Sequence, residues 1–318
     1  MTTVEQINST IYCIDCHDLE REKRTGCYIL KGTKTTLIET SASPSIPYIL
    51  KGLEELQINL ADIDYIILTH IHLDHAGGAG LLLQKCPNAT IIVHPKGAKH
   101  LNDPSRLAAG ARAVYGEAFD RLFDPIVPIP MDRIHTVEHG EQIELRNRTL
   151  TFYHSPGHAY HHIAIHDSGT NGIFTGDTAG ISYRELDNHP VDLFLPSTSP
   201  SQFNPEAMQE SWALFESLKP DGLYFGHYGY CNNPSEVFRQ LRHWLPIFID
   251  CGRQAIAEAA DQNESAQIAS KLVQEKVSEH LAPYGLPDGH AVYEILKLDA
   301  DISAQGIIDS ITKGVISA

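Results

Sequence analysis

Residues 69–78, Thr-His-Ile-His-Leu-Asp-His-Ala-Gly-Gly, carry four side chains of the kind that bind metal ions. His70, His72, Asp74 and His75 lie within six consecutive residues. Imidazole nitrogens and carboxylate oxygens are ligands of zinc, iron and manganese. Because the chain has only 18 histidines in 318 residues, a cluster this dense is rare by chance. It predicts a metal site.

Three further side chains are candidate ligands because of the segments that contain them. His158 follows Ser-Pro-Gly, Asp177 lies in Phe-Thr-Gly-Asp-Thr, and His227 lies in Phe-Gly-His-Tyr-Gly. Each follows a strand-like run and a small residue or turn. Taken singly, each also suits an ordinary structural turn. Loops at one end of a sheet would bring all three together.

The elements that flank the cluster must position it. Asp64–Thr69 is a short apolar run typical of a buried strand, and Ala76–Lys85 has the composition of a helix. His70 and His72 point the same way if the backbone between them is extended. Asp74 is expected to cap the helix as well as to bind metal.

The order of these residues resembles the metallo-β-lactamase-fold hydrolase superfamily. The resemblance rests on His70-x-His72-x-Asp74-His75, followed by His158, Asp177 and His227, and it covers roughly residues 9–230. It implies two metal ions, most simply zinc, with iron or manganese as alternatives. His70, His72 and His158 would bind the first ion. Asp74, His75 and His227 would bind the second, and Asp177 would bridge both.

The chain departs from true β-lactamases, which typically lack the histidine at the position of His75 and often use a cysteine ligand. It is more similar to the glyoxalase II and lactonase branches. Many relatives have an aspartate where this chain has Glu39. Glu39 either orients a ligand histidine or is an ordinary strand-end glutamate. Lactonases that act on acyl-homoserine lactones have a tyrosine where this chain has Gly180, which weakens that specific assignment.

The resemblance implies a dinuclear hydrolase whose metal-bridging hydroxide attacks an ester, lactone or thioester. Asp74 would also pass a proton to the leaving group. Tyr183 and Tyr228 are candidate substrate contacts, with packing as the alternative for Tyr228. Two other functions stay open: a mononuclear iron enzyme like the persulfide dioxygenases, and a low-activity relative that binds a metabolite.

Apolar and β-branched runs predict strands in two groups, each with helices outside. By resemblance the fold is an α/β, four-layer αββα sandwich, with a catalytic domain at residues 1–233 and a helical C-terminal extension at 234–318. The extension would cover the site or mediate homodimerisation. The predicted strands are Tyr12–Leu19, Gly26–Lys31, Thr35–Thr40, Ile63–Thr69, Thr90–His94, Gln142–Leu145, Leu150–His154, Ile163–Asp167, Gly172–Thr175 and Gly222–Phe225.

Helices are predicted at Pro44–Leu56, Glu206–Leu218, Val237–Ile247, Ala255–His280 and Ile307–Ile316. Pro104–Phe123 is an Ala-rich, weakly amphipathic segment between strands. It is either a lid over the site, with Arg112, Tyr115 and Phe119 as substrate contacts, or a purely structural helix.

Composition narrows the choice of partners. A net charge of −16, from 24 basic and 40 acidic residues, disfavours nucleic acid, which needs a basic path for its phosphates. A small-molecule substrate is expected instead. No apolar stretch is long enough to span a membrane, and the first residues do not resemble a signal peptide. The six scattered cysteines are expected to be buried thiols of a cytoplasmic protein.

Overall fold

The computed structural model describes residues 4–317, and the chain divides into two compact units. The first comprises the chain up to His154, His161–Gly176 and Pro220–Asn232. The second comprises Ser155–Tyr160, Asp177–Lys219 and the chain from Asn233 onwards. The last segment of the second unit begins at Asn233, next to the predicted domain boundary after residue 233. The predicted division into a catalytic domain and an extension stays a prediction.

The strands are short and mostly buried. They are β1 Val4–Gln6, β2 Ile11–Asp15, β3 Gly26–Leu30, β4 Thr35–Ile38, β5 Ile63–Ile67, β6 Thr90–Val93, β7 Ile134–Thr136, β8 Gln142–Glu144, β9 Thr149–His154, β10 Ile163–Asp167, β11 Gly172–Gly176, β12 Ile181–Ser182, β13 Phe194–Leu195, β14 Gly222–Phe225 and β15 Tyr230–Cys231.

The α-helices follow the strands in both units. They are α1 Ile46–Glu55, α2 Leu73–Ala76, α3 Ala79–Leu83, α4 Pro95–Asn102, α5 Ser105–Tyr115, α6 Phe119–Phe123, α7 Pro205–Ser217, α8 Pro234–Glu258, α9 Gln262–Leu281 and α10 Ala291–Thr312.

The first unit contains two mixed sheets. One has the strand order β1-β2-β3-β4-β5-β6-β7, and the other has the order β15-β14-β11-β10-β9-β8. β4, β5, β6 and β7 pair in parallel, and so do β11 and β14. Parallel pairing places the carboxyl ends of β4, β5 and β6 at one edge of the first sheet. The metal-ligand motif begins at that edge.

Both faces of the first sheet are covered, which explains why its central strands are mainly apolar. Ile66 and Ile67 are adjacent on β5, so their side chains point to opposite faces, and both are completely buried. Ile66 packs in a core with Leu53 of α1 and Leu82 of α3. Ile67 packs in a second core with residues of the other sheet, including Phe174 of β11. The expected α/β sandwich is therefore confirmed, with helices following the strands at the C-terminus.

The second unit is mainly helical. Small residues allow α8, α9 and α10 to approach closely: Ala255, Ala269 and Ala304 share one core. A Cβ atom at Gly252 of α8 would lie 2.4 Å from the Ile307 side chain of α10. The predicted helix Ala255–His280 is in fact two helices. α8 ends at Glu258, and the Asp261 side chain caps α9 by accepting a hydrogen bond from the Glu264 amide.

The predicted strands agree with the structure to within two residues at each end, with one exception. The prediction of a strand over Tyr12–Leu19 is wrong beyond Asp15. The Asp15 carboxylate accepts hydrogen bonds from the amides of His17 and Lys23, and these turn the chain out of the sheet. Residues 307–312 of the predicted helix Ile307–Ile316 form the last part of the longer α10, which ends at Thr312, and the prediction of a helix over residues 313–316 is wrong.

The predicted helical segment Pro104–Phe123 forms α5 and α6. Phe119 is fully buried and shares a core with Phe123, Ala42 and Leu73. The Arg112 guanidinium lies 4.1 Å from the centre of the Phe119 ring. These contacts support the structural alternative for Arg112 and Phe119. No helix within residues 4–317 combines the length and the apolarity that a membrane span requires.

Replacing Phe174 by alanine should destabilise the first unit by about 3–5 kcal/mol, because the change leaves a cavity between the two sheets. The ring is 1% exposed and stacks on Tyr224 at 4.3 Å. Urea unfolding followed by circular dichroism measures the change. Val114→Ala, at a position that is 40% exposed, is the control and should shift stability by less than about 0.5 kcal/mol. Equal midpoints for the two variants would contradict the assignment of this core.

Candidate metal centre

The predicted ligand motif begins just after β5. The Leu68 amide donates to the carbonyl of Ile92, and the Thr69 carbonyl accepts from the amide of Ile163. His72 has an extended backbone and is the N-terminal flanking residue of α2. Asp74 lies inside the first turn of α2, so the prediction that it caps a helix from residue 76 is wrong. The helix begins three residues earlier than predicted and is interrupted before α3.

Asp74, His75 and His227 form one compact group in the first unit. The Asp74 Oδ2 atom lies 3.5 Å from His75 Nε2 and 3.7 Å from His227 Nε2. These separations are long for hydrogen bonds. Two ligand atoms that share a tetrahedral ion at about 2.0–2.2 Å lie about 3.4 Å apart. The three residues offer one ligand atom each, all within 4.8 Å of one another, so they fit a divalent cation.

Glu39 fixes the orientation of His75. Its Oε2 atom lies 2.5 Å from His75 Nδ1, and its Oε1 atom accepts a hydrogen bond of 2.7 Å from the Thr69 amide. With Nδ1 engaged by a carboxylate, Nε2 is the atom that faces Asp74. Of the two interpretations of Glu39, the one in which it orients a predicted ligand histidine is confirmed.

The position of Glu39 follows from the sheet. Because β4 pairs in parallel with β5 and Ile38 lies beside Ile67, residue 39 comes directly alongside the start of the motif. The Glu39 amide continues the ladder by donating to the Ile67 carbonyl. Its backbone has a φ of 70°, a value that is unfavourable for a residue with a Cβ atom and that is typically retained at functional sites.

His70 and His72 lie close together in the same unit. Their ring centres are 4.6 Å apart, and His70 Nδ1 lies 3.0 Å from Thr69 Oγ1. The His162 ring stacks on His70 with centres 5.1 Å apart. Gly176 allows this packing, since a Cβ atom there would lie 2.4 Å from His162 Nε2.

His158 and Asp177 are neighbours in the second unit. His158 Nε2 lies 3.6 Å from Asp177 Oδ2, again close to the spacing of two ligands of one ion. His158 Nδ1 donates to the Ser197 carbonyl at 3.1 Å, which leaves Nε2 towards the aspartate. The preceding Gly157 has a φ of +136°, and a Cβ atom there would lie 2.3 Å from the Met208 backbone. Only glycine therefore fits this turn.

Asp18 is a residue of this region that the sequence did not reveal. It follows β2, is 1% exposed, and neither of its carboxylate oxygens has a hydrogen-bond partner among residues 4–317. Burial and the nearby negative charge of Asp74 raise the pKa of Asp18 to about 7, while Arg24, His227 and His75 act in the opposite direction. The available sequence signal was a run of polar residues after Asp15, where the strand should already have ended.

The two predicted substrate contacts both have protein partners. The Tyr183 hydroxyl donates to Asp299 Oδ2 at 2.9 Å, within the second unit. The Tyr228 hydroxyl donates to Glu5 Oε2 at 3.2 Å, and Tyr228 is 2% exposed. Burial raises the pKa of Tyr228 well above its ordinary value. Contact of either tyrosine with a substrate stays a prediction.

Two mixed sheets with a histidine-rich group at a strand edge define an α/β sandwich with a candidate metal centre. The model of the Metallo-beta-lactamase superfamily matches residues 24–227 of the chain. The chain belongs to this superfamily.

Two relatives match at moderate identity. Metallo-beta-lactamase fold-containing protein ST1585 of Sulfurisphaera tokodaii is 28% identical over 207 residues, which are 64% of this chain and 72% of that protein. Probable metallo-hydrolase MJ0888 of Methanocaldococcus jannaschii is 31% identical over 151 residues, which are 48% of this chain and 65% of that protein. The names of these two relatives state no substrate, and the predicted glyoxalase II or lactonase branch stays a prediction.

The crystal structure of ST1585 from Sulfolobus tokodaii superposes on this chain with a TM-score of 0.67 at 23% identity. The superposition covers 94% of this chain and 98% of that one. At this identity the likeness establishes the fold.

Replacing Glu39 by glutamine keeps the size of the side chain but removes the negative charge that holds His75. We expect the affinity of the Asp74–His75–His227 group for zinc to fall about 10–100-fold. Competition with a chromogenic zinc chelator measures this. Glu54→Gln on the exposed side of α1 removes the same charge elsewhere and should leave zinc affinity unchanged. Equal affinities for both variants would show that Glu39 does not support a metal ligand.

Proposed function

We propose that this protein is a metal-dependent hydrolase that uses two divalent metal ions to cleave a carboxylic ester, a lactone or a thioester. Membership of the superfamily supports metal-dependent hydrolysis in general. The observation that carries the proposal furthest is the placement of two histidine Nε2 atoms at 3.5 and 3.7 Å from one Asp74 oxygen.

The proposed ligands are those that the sequence predicted. His70, His72 and His158 would bind the first ion, and Asp74, His75 and His227 the second, with Asp177 shared by both. Zinc suits this set of nitrogen and oxygen donors best, with iron and manganese as alternatives.

When bound, two such cations would supply Lewis acidity and an activated water molecule. The chain contributes the electrostatic setting. Five neutral imidazoles and two carboxylates leave a net positive charge beside two divalent ions, and this favours the negative charge that develops when a carbonyl group is attacked.

Asp74 is the member of the second group that can exchange protons with a substrate. Its side chain is 24% exposed, whereas those of His75 and His227 are 0% and 4% exposed. The carboxylate can therefore take up a proton and deliver it to a leaving oxygen or sulfur atom. The two histidines are confined to holding the ion.

Metal content distinguishes this proposal from its alternatives. Protein purified without chelators should contain two zinc or manganese ions per chain when analysed by elemental mass spectrometry. A single iron ion, together with oxygen consumption in the presence of a persulfide, would replace the proposal by a persulfide dioxygenase-like function. A protein with two ions but no activity on any ester, lactone, thioester or phosphodiester would favour a metabolite-binding relative.

Replacing Asp74 by asparagine should lower kcat on the best substrate of that panel by about 10²–10⁴-fold, because the group that transfers the proton is lost. Steady-state kinetics measure the effect, with the metal content of each preparation determined in parallel. Asp62→Asn, at an exposed position directly before β5, is the matched control. If kcat of the Asp74 variant stayed within a few-fold of that of the control, Asp74 would have no part in proton transfer.

A further inference from the structure

The loop between β2 and β3, Cys16–Thr25, has an unfavourable backbone conformation and contains the buried carboxylate of Asp18. Four of its residues other than glycine have a positive φ: His17 at 49°, Leu19 at 52°, Glu20 at 62° and Lys23 at 55°. Such backbone conformations persist where the surrounding structure enforces them, and they cluster at functional sites.

Specific contacts hold this loop in place. Asp15 at the end of β2 accepts hydrogen bonds from the amides of His17 and Lys23, at 3.0 and 2.9 Å. The His17 ring stacks on Tyr48 of α1 with centres 4.3 Å apart. Asp18, between these anchor points, is thereby kept inside the first unit with its carboxylate away from solvent.

Asp18 lies within electrostatic range of Asp74, His75 and His227. A buried carboxylate is normally hydrogen-bonded or paired with a cation. The positive charge of Arg24 acts on Asp18, yet both Asp18 oxygens lack a hydrogen-bond partner in the described chain. Asp18 and Asp74 are both carboxylates, so their negative charges repel each other. A divalent cation among these residues would relieve both the burial and the repulsion at once.

We propose that Asp18 strengthens the binding of a divalent cation by Asp74, His75 and His227, to which it adds a further negative charge. The inference rests on the proposed function, since it assumes that this group binds metal. The burial of both carboxylate oxygens favours a cation over a substrate as the partner of Asp18, because a substrate would need an exposed acceptor.

The test compares Asp18→Asn with Glu22→Gln, which removes one negative charge from an exposed position of the same loop. Zinc affinity is measured by competition with a chromogenic chelator. We expect the affinity for the more weakly held zinc ion to be about 10–100-fold lower in the Asp18 variant than in the wild type. In the Glu22 variant this affinity should be unchanged. Asp18→Glu, which restores the carboxylate, should recover part of the loss.

Thermal unfolding with and without zinc separates this role from a structural one. If Asp18 serves the cation, metal-free Asp18→Asn should be at least as stable as the metal-free wild type, because a buried carboxylate without hydrogen-bond partners has been removed. The gain in Tm on adding zinc should then be smaller in the variant. A variant that is less stable without metal but gains as much from zinc as the wild type would overturn the proposal.

Failure of the proposed function gives a different result. If the wild type bound only one zinc ion, the dinuclear hydrolase would be wrong, while the role of Asp18 would still be decided by whether that ion is held more weakly in Asp18→Asn. If two ions bound with unchanged affinity and only KM rose, Asp18 would contact the substrate and the inference would be wrong.

Discussion

The contact between Glu39 and His75 is the constraint on which the geometry of the candidate centre depends. One buried carboxylate joins the end of β4 to the motif after β5, through the Thr69 amide and His75 Nδ1. Charge-assisted hydrogen bonds of this kind are strong and directional. They select the nitrogen that His75 presents to Asp74. The parallel pairing of β4 with β5 brings the two segments together, so the sheet itself positions His75.

The region around Glu39 and Asp74 in the first unit contains more negatively charged side chains than the stability of the fold explains. Glu39, Asp74 and Asp18 bring three carboxylates to a region whose other polar groups are mainly histidines. The buried Asp18 carboxylate, which has no hydrogen-bond partner among the described residues, opposes folding, and the positive φ values at Glu39 and in the loop of Asp18 add strain. Unfavourable features of this kind are typical of sites organised for a ligand, and the proposed divalent cation would balance the negative charge.

Hydrophobic periodicity, which is a local signal, was sufficient to predict most strands. The sandwich was implied by the resemblance that His70, His72, Asp74 and His75 carry together with the later predicted ligands. The role of Glu39 stayed undecided, since it depends on the register between two strands that are distant in sequence. Asp18 was missed because the predicted strand was extended through Leu19, whereas hydrogen bonds from the His17 and Lys23 amides to the Asp15 side chain end it at Asp15. The break between α8 and α9 after residue 258 was also missed, because it depends on one local contact, the cap that the Asp261 side chain forms at the start of α9.

Anomalous X-ray diffraction at the zinc absorption edge, from crystals of protein purified without chelator and supplied with zinc, tests most directly whether Asp74, His75 and His227 bind a metal ion. We expect an anomalous peak about 2.0–2.2 Å from Asp74 Oδ2, His75 Nε2 and His227 Nε2, with the Glu39 carboxylate still on His75 Nδ1. Absence of a peak at this position, with Asp74 hydrogen-bonded directly to the histidines, would contradict this expectation.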